Sequence, residues 1–151
     1  AALVAWQWQV PASRLHALIP PPRPNCDAAP APKVNWRGCN KSGALLARSD
    51  LSGANLSHAR FNSTDLSGSR FSAANLSQTD LSYATLNQAG MARANLEGAN
   101  LNFAELRAAD LSHANLRAAN LADAALDGAK LDHATWPDGR VCAVGSIGQC
   151  R

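Results

Sequence analysis

From residue 34 to residue 138 the chain follows a five-residue frame without a single insertion, giving 21 consecutive pentapeptides. In the stretch ARANLEGANLNFAEL, for example, Leu96, Leu101 and Leu106 each stand two residues after an alanine. The first frame is centred on Trp36 and the last on Trp136; Lys41 is the only centre that is not a large apolar residue. A period of five fits neither a helix, which repeats near 3.6, nor a strand, which repeats at 2. The residue two before the centre is small almost every time: Ala54, Ala74, Ala94 and Ala114, with Ser49, Thr64, Ser69 and Thr79 as variants. Two inward and three outward positions in every five require a chain that bends at a fixed interval around one axis, which is a solenoid. The small residue is expected to permit the bend.

The units AANLS at 73–77, GANLN at 98–102 and HANLR at 113–117 carry the pattern A(D/N)LXX. In this the chain resembles the pentapeptide-repeat family. The resemblance implies an all-β fold, a right-handed quadrilateral β-helix with four repeats per coil. Twenty-one repeats then make about five coils, roughly 25 Å long at the spacing of paired strands. The organisation expected is an N-terminal Pro-rich arm (1–33), the β-helix (34–138) and a C-terminal cap (139–151). The motif ATWPDGRVCAVGSIGQC also resembles the end-cap of exported members of that family.

With four repeats per coil, residues twenty apart stack. Asn35, Asn55, Asn75, Asn95 and Asn115 then form a column, read either as an amide ladder or as a flat surface that orders water or a polymer. Tyr83 and Phe103 stack one coil apart, either as ladder packing or as an anchor for a partner. His113 falls over His133 near Asp110 and Asp132, but no third ligand is fixed beside them, so no metal is expected.

Charge separates by segment. The frame itself holds nine basic and ten acidic residues, and the net charge of +3 comes from the ends. That near-neutral body lacks the basic stripe of a nucleic-acid binder and the acidic surface of a DNA mimic. No GxSxG, P-loop, GxGxxG or CxxC motif is present, and serine is abundant because the repeat uses small polar residues. The axis is filled, so no deep pocket is expected, and the acidic residues are spread over all four faces without a pair suited to glycoside chemistry. The chain reads as a non-enzyme with no cofactor.

Both ends of a solenoid must be covered. Trp36 and Trp136 are placed to plug them, and the four cysteines flank them: Cys26 and Cys39 before the rod, Cys142 and Cys150 after it. Because the ends of the implied rod lie about 25 Å apart and a disulfide needs Cα atoms within about 7 Å, only Cys26–Cys39 and Cys142–Cys150 are expected. Paired cysteines point to an oxidising compartment, periplasmic or extracellular. The opening AALVAWQWQV has no apolar run long enough to cross a bilayer and reads as a mature amino terminus or the remnant of a signal or anchor segment. Trp6 and Trp8 lie in the arm, which is either a tail or a segment that docks on the rod or on a partner.

The function expected is a structural or interaction scaffold of the cell envelope. It would bind a protein partner through the rod surface, with Tyr83 and Phe103, and through the arm, with Trp6 and Trp8; membership of a membrane-associated complex is compatible with this. Two other readings compete with it. One is a DNA-mimic protein that binds gyrase, as some quinolone-resistance members of the family do; the other is a glycan-binding face.

Overall fold

The computed structural model describes Pro11 and residues 20–151. The repeat forms a solenoid held by 17 isolated parallel bridges, each linking a residue to the one twenty positions later, from Asn35↔Asn55 to Asn115↔Thr135. One turn of the solenoid therefore takes four pentapeptides and presents four faces. We number them by their bridging columns: face 1 begins at Asn35, face 2 at Asn40, face 3 at Leu45 and face 4 at Asp50. Each pentapeptide contributes one bridging residue, too short a run to form a strand, and a two-residue turn separates each three-residue segment around a bridge from the next.

The local geometry is uniform. In each repeat the carbonyl of the centre accepts from the N–H three residues on, as Leu96 does from Ala99 at 3.0 Å. The residue two after the centre lies in the left-handed region, with φ of 59° at Arg93, 56° at Phe103 and 65° at Gly98. A positive φ at the third residue of a four-residue turn is the mark of a type II turn. So the bend is made by the two residues after the centre. The small residue two before it, expected at the bend, points inward instead: Ala84, Ala94, Ala104 and Ala114 are buried beside the leucines. Its size is set by the narrow space between neighbouring centres, where a larger side chain would overpack the axis.

Coil-to-coil pairing uses three backbone bonds per repeat. Around one repeat these are Leu96 N–H to Asn115 C=O at 2.7 Å, Gly98 N–H to Arg117 C=O at 2.9 Å, and Asn115 N–H to Ala94 C=O at 3.0 Å. Leucine and phenylalanine centres fill the axis without exposure from Leu51 to Leu116, each contributing on the order of 1.5–3 kcal/mol. Where a hydroxyl replaces the inward alanine, it donates to a carbonyl, as Thr64 does to Lys41 at 2.9 Å and Ser69 to Leu46 at 2.8 Å. A buried hydroxyl is tolerated because that bond is made.

At the N-terminal end, residues 25–28 cross beneath Trp36. The indole N–H donates to the Ala28 carbonyl at 3.2 Å, and Asn25 N–H donates to the Asn35 carbonyl at 2.9 Å. Lys41, the irregular centre, turns its ammonium to the Cys26 carbonyl and lies 4.1 Å from the Trp36 ring. The Cys26–Cys39 disulfide fixes this segment, with Cα atoms 5.4 Å apart. At the other end the chain reverses after Trp136 and returns antiparallel, bridging Thr135↔Val141 and Lys130↔Ile147. Cys142–Cys150 closes that return, with a Cα separation of 4.9 Å. Trp36 is fully buried, whereas Trp136 is only partly covered.

Two outcomes test this architecture. Leu86→Asp places an unpaired charge on the axis and abolishes cooperative folding of the middle coils; a circular dichroism melt like that of the parent would disprove the frame. Replacing both Cys142 and Cys150 by serine removes about 2–3 kcal/mol of loop constraint. The expected result is a lower melting temperature with the solenoid's spectrum retained at 25 °C, since the rod's own hydrogen bonds do not pass through that pair.

Candidate interaction surface

The axis is filled and the surface is built from columns, so any recognition site consists of outward side chains stacked twenty residues apart. The bridging position is dominated by Asn and Asp for a local reason. Its side-chain oxygen accepts from the N–H two residues on: Asp65 from Ser67 at 3.0 Å, Asn75 from Ser77 at 3.1 Å, Asn115 from Arg117 at 3.1 Å. This Asx contact pre-forms the turn. Within the asparagine column of face 1, one amide reaches the next coil, Asn115 Nδ2 to Asn95 Oδ1 at 3.1 Å. The column is thus mainly a row of turn supports and only in one place a ladder.

Three of these carboxylates are held below the usual Asp range. Asp50 and Asp65 are lowered by the hydroxyl and N–H of Ser52 and Ser67 respectively, and Arg70 adds to the effect at Asp50. At Asp110, burial pushes upward but is outweighed by the hydroxyl and N–H of Ser112 together with the charges of Lys130 and His113. Polar contacts elsewhere are of the same supporting kind. On face 3, Arg107 sits between Glu105 at 3.1 Å and Asp127 at 3.5 Å, and Asn87 donates to Glu105 at 2.8 Å.

Tyr83 and Phe103 occupy the left-handed turn position at the edge between faces 2 and 3, with ring centroids 5.1 Å apart and planes inclined by 13°. They are 59% and 45% exposed, whereas the same column otherwise carries Gly43, Ser63 and Asp123. A bulky side chain at positive φ costs about 1 kcal/mol or more relative to glycine, so this exposed apolar pair stands at a position where packing does not require it. His113 and His133 stack in the same way, with centroids 5.0 Å apart. Among the described residues no group of three His, Cys, Asp or Glu side chains is placed to hold a metal ion.

Among the described residues, clefts open to solvent include two lined by polar side chains. One of about 450 Å³ forms where Gly68 interrupts the column between Arg48 and Gln88, and is bounded by Ala47, Ser67 and Asn87 as well. The other, about 390 Å³, lies at the N-terminal end between Pro24, Arg37, Gly38 and His58. Trp6 and Trp8 lie outside the described residues. The sequence reading did not single out Leu45, which is 87% exposed, or Val141, Val144 and Ile147 in the returning tail. Leu45 occupies the bridging position, which points outward whatever its hydropathy, so the frame itself carried that signal.

Known proteins agree with this geometry. The Pentapeptide repeats family profile matches the chain in eight copies over residues 37–73, 69–102 and 99–135. The chain belongs to that family. Among solved structures it is similar to HetL of the cyanobacterium Nostoc sp. strain PCC 7120, a pentapeptide repeat protein involved in heterocyst differentiation regulation. The two share 31% identity over 72% of this chain and 53% of HetL, with a TM-score of 0.53. The chain thus spans about half the length of HetL. It is also similar to Rfr23 of Cyanothece 51142, at 34% identity over 68% of this chain and 90% of that one, with a TM-score of 0.48. No curated protein sequence gives a match.

The lowered carboxylates give a pH test. A carboxyl whose folded pKa lies below its unfolded value contributes stability above the unfolded value and loses it as pH falls through the folded one. The melting temperature is therefore flat from neutrality to about pH 5 and falls once the pH drops below about 4. Asp65→Asn keeps an acceptor for Ser67 and cannot titrate, so its acid limb is shallower than the parent's; parallel limbs would remove Asp65 from the account.

Proposed function

We propose that the chain is a non-enzymatic protein-interaction scaffold of an oxidising compartment of the cell envelope, periplasmic or extracellular. In this reading its coils form a right-handed quadrilateral rod of about five turns, and the rod is the rigid element that presents the binding residues. One observation carries the proposal: a surface made of self-satisfied polar columns is broken by the exposed, stacked pair Tyr83 and Phe103. Aromatic side chains presented on a rigid backbone lose little conformational entropy on binding and commonly anchor protein interfaces. The arm, with Trp6 and Trp8, provides a second attachment. The two disulfides support the compartment, since such bonds persist where thiols are not kept reduced. Among the described residues no helix is long and apolar enough to cross a membrane, so attachment to a membrane-associated complex would run through a partner.

A photo-crosslinking residue placed at 83 or at 103 in the native host yields one discrete protein adduct, reduced by Ala at the other position of the pair. The same residue placed at Asn102, on the adjoining surface, serves as the comparison. Equal adduct patterns at 102 and 103 would refute the anchor role, and four free thiols by non-reducing mass spectrometry of the native protein would refute the compartment.

A further inference from the structure

The turn column that carries the aromatic pair is regular on both sides of it. Ser63, Tyr83, Phe103 and Asp123 share the left-handed conformation, with φ of 55°, 58°, 56° and 56°. The N–H groups of Ser63, Tyr83 and Phe103 donate to the Ser82, Asn102 and Ala122 carbonyls at 2.9, 3.0 and 3.0 Å. The four side chains therefore leave the rod along one corner, a coil apart, or about 4.8 Å. The rings of Tyr83 and Phe103 fill two successive levels of that column, with centroids 5.1 Å apart. The next level belongs to Asp123, whose side chain ends in a carboxylate on its γ carbon, the atom at which the Phe103 ring begins. The outer part of the Phe103 ring face thus lies beyond the reach of its column neighbour, and the ring is exposed.

Charge and hydrogen bonding single out the same place. On faces 2 and 3, residues 80–88, 100–108 and 120–128 hold Asp80, Glu105, Asp123 and Asp127 against Arg107 alone. Arg107 is taken up by Glu105 and Asp127, and Asp80 by the hydroxyl and N–H of Ser82. The neighbouring amides are occupied as well. Asn100 accepts from Asn102 N–H and donates to Asp80, while Asn120 accepts from Ala122 N–H and donates to Asn100. Asp123 makes no ion pair among the described residues. It is an exposed carboxylate beside an open aromatic face. At the N-terminal end of the rod a cation already sits on a ring with an oxygen at its side: Lys41 lies over Trp36 and donates to the Cys26 carbonyl.

We infer that the outer face of Phe103 and the Asp123 carboxylate together form a seat for an arginine side chain of a basic partner segment. This rests on the anchor role proposed for Tyr83 and Phe103, and it gives that partner its chemistry. A guanidinium is planar, so it continues the ring stack at the level of Asp123 while its edge N–H groups meet the carboxylate. One group makes both contacts, attraction to the ring face and a charge-assisted hydrogen bond. A lysine ammonium engages the carboxylate but cannot stack. Sugars also lie on aromatic faces, but they need free polar groups around the ring, and the amides here are spent on turns. An uncharged apolar partner strips water from Asp123 and supplies no counter-charge. The surplus of carboxylates on these two faces also draws a basic segment toward the corner.

Aromatic NMR of the full chain tests the seat, because Phe61 and Phe71 are buried in the axis and serve as internal references. The probe is acetyl-Gly-Arg-Gly-amide, compared with its citrulline counterpart, which keeps the shape and loses the charge, and with a neutral trisaccharide. The arginine peptide is expected to shift the Phe103 ring with millimolar affinity and to leave Phe61 and Phe71 unmoved. Citrulline, added salt and Asp123→Asn each weaken binding by about fivefold or more, and asparagine is well tolerated in the left-handed region. No shift at Phe103, equal binding of the citrulline peptide, or undiminished binding to Asp123→Asn overturns the inference. Tighter binding of the trisaccharide also overturns it and makes the corner a glycan face. The photo-crosslink at 83, where Phe103 stays in place, separates this inference from the anchor role. An adduct undiminished by Asp123→Asn keeps the anchor and overturns the arginine seat. Loss of every adduct while the arginine peptide still titrates Phe103 removes the anchor and supports the seat.

Discussion

The structure depends on one backbone constraint: a residue held at positive φ in every fifth position. From residue 38 to residue 133 each such position lies in the left-handed region, yet only Gly38, Gly43, Gly53, Gly68, Gly98 and Gly128 are glycines. An isolated chain would not hold His58, Tyr83 or Arg93 there, since each costs about 1–2 kcal/mol relative to a relaxed backbone. The N–H of that residue donates upward to the next coil, as Tyr83 does to Asn102 at 3.0 Å and Arg93 to Ser112 at 2.9 Å. The stacking that benefits from the turn also maintains it. Local strain and long-range pairing are therefore one cooperative unit, and a single coil has no independent stability.

That coupling explains what the sequence reveals and what it hides. The five-residue frame is legible because it is written in side-chain size: Leu96, Leu101 and Leu106 must fill the axis, and Ala94, Ala99 and Ala104 must fit between them. The stacked Tyr83 and Phe103 follow from the same frame once four repeats make a turn. The conformation of the turn is not legible, because a left-handed residue enforced by inter-coil hydrogen bonds leaves no requirement for glycine. The assignment of the alanines to the bends fails for that reason: the bend is specified by backbone pairing and by the Asx contact from the bridging residue, neither of which needs a small side chain.

The ends are less legible still. The cysteine pairs follow from the length of the rod, but the antiparallel return of the tail does not, since residues 139–151 carry no repeat whose period could be read. Lys41 is the instructive exception. A charged residue at a centre looks like an error in the frame, and in the middle of the rod it would be one. In the first coil the ammonium can leave the axis downward, meeting the Cys26 carbonyl and the Trp36 ring. An apolar stem with a charged tip suits a place where the interior ends and a cap begins.

The same reasoning separates surface residues that fold the rod from those free to do something else. Asn and Asp at the bridging position are committed, because their oxygens hold the turn N–H groups. Serine after them is partly committed, since its hydroxyl bonds the same carboxylate in Asp50–Ser52, Asp65–Ser67 and Asp80–Ser82, each at 2.7 Å. The turn position alone carries a side chain with no structural task, and its occupants range from glycine to tyrosine. Variation is therefore concentrated along the four edges of the rod. An edge residue that costs conformational energy and exposes apolar surface is only partly accounted for by stacking on its neighbour. Tyr83 and Phe103 are such residues, and they support the binding edge proposed above at the corner of faces 2 and 3.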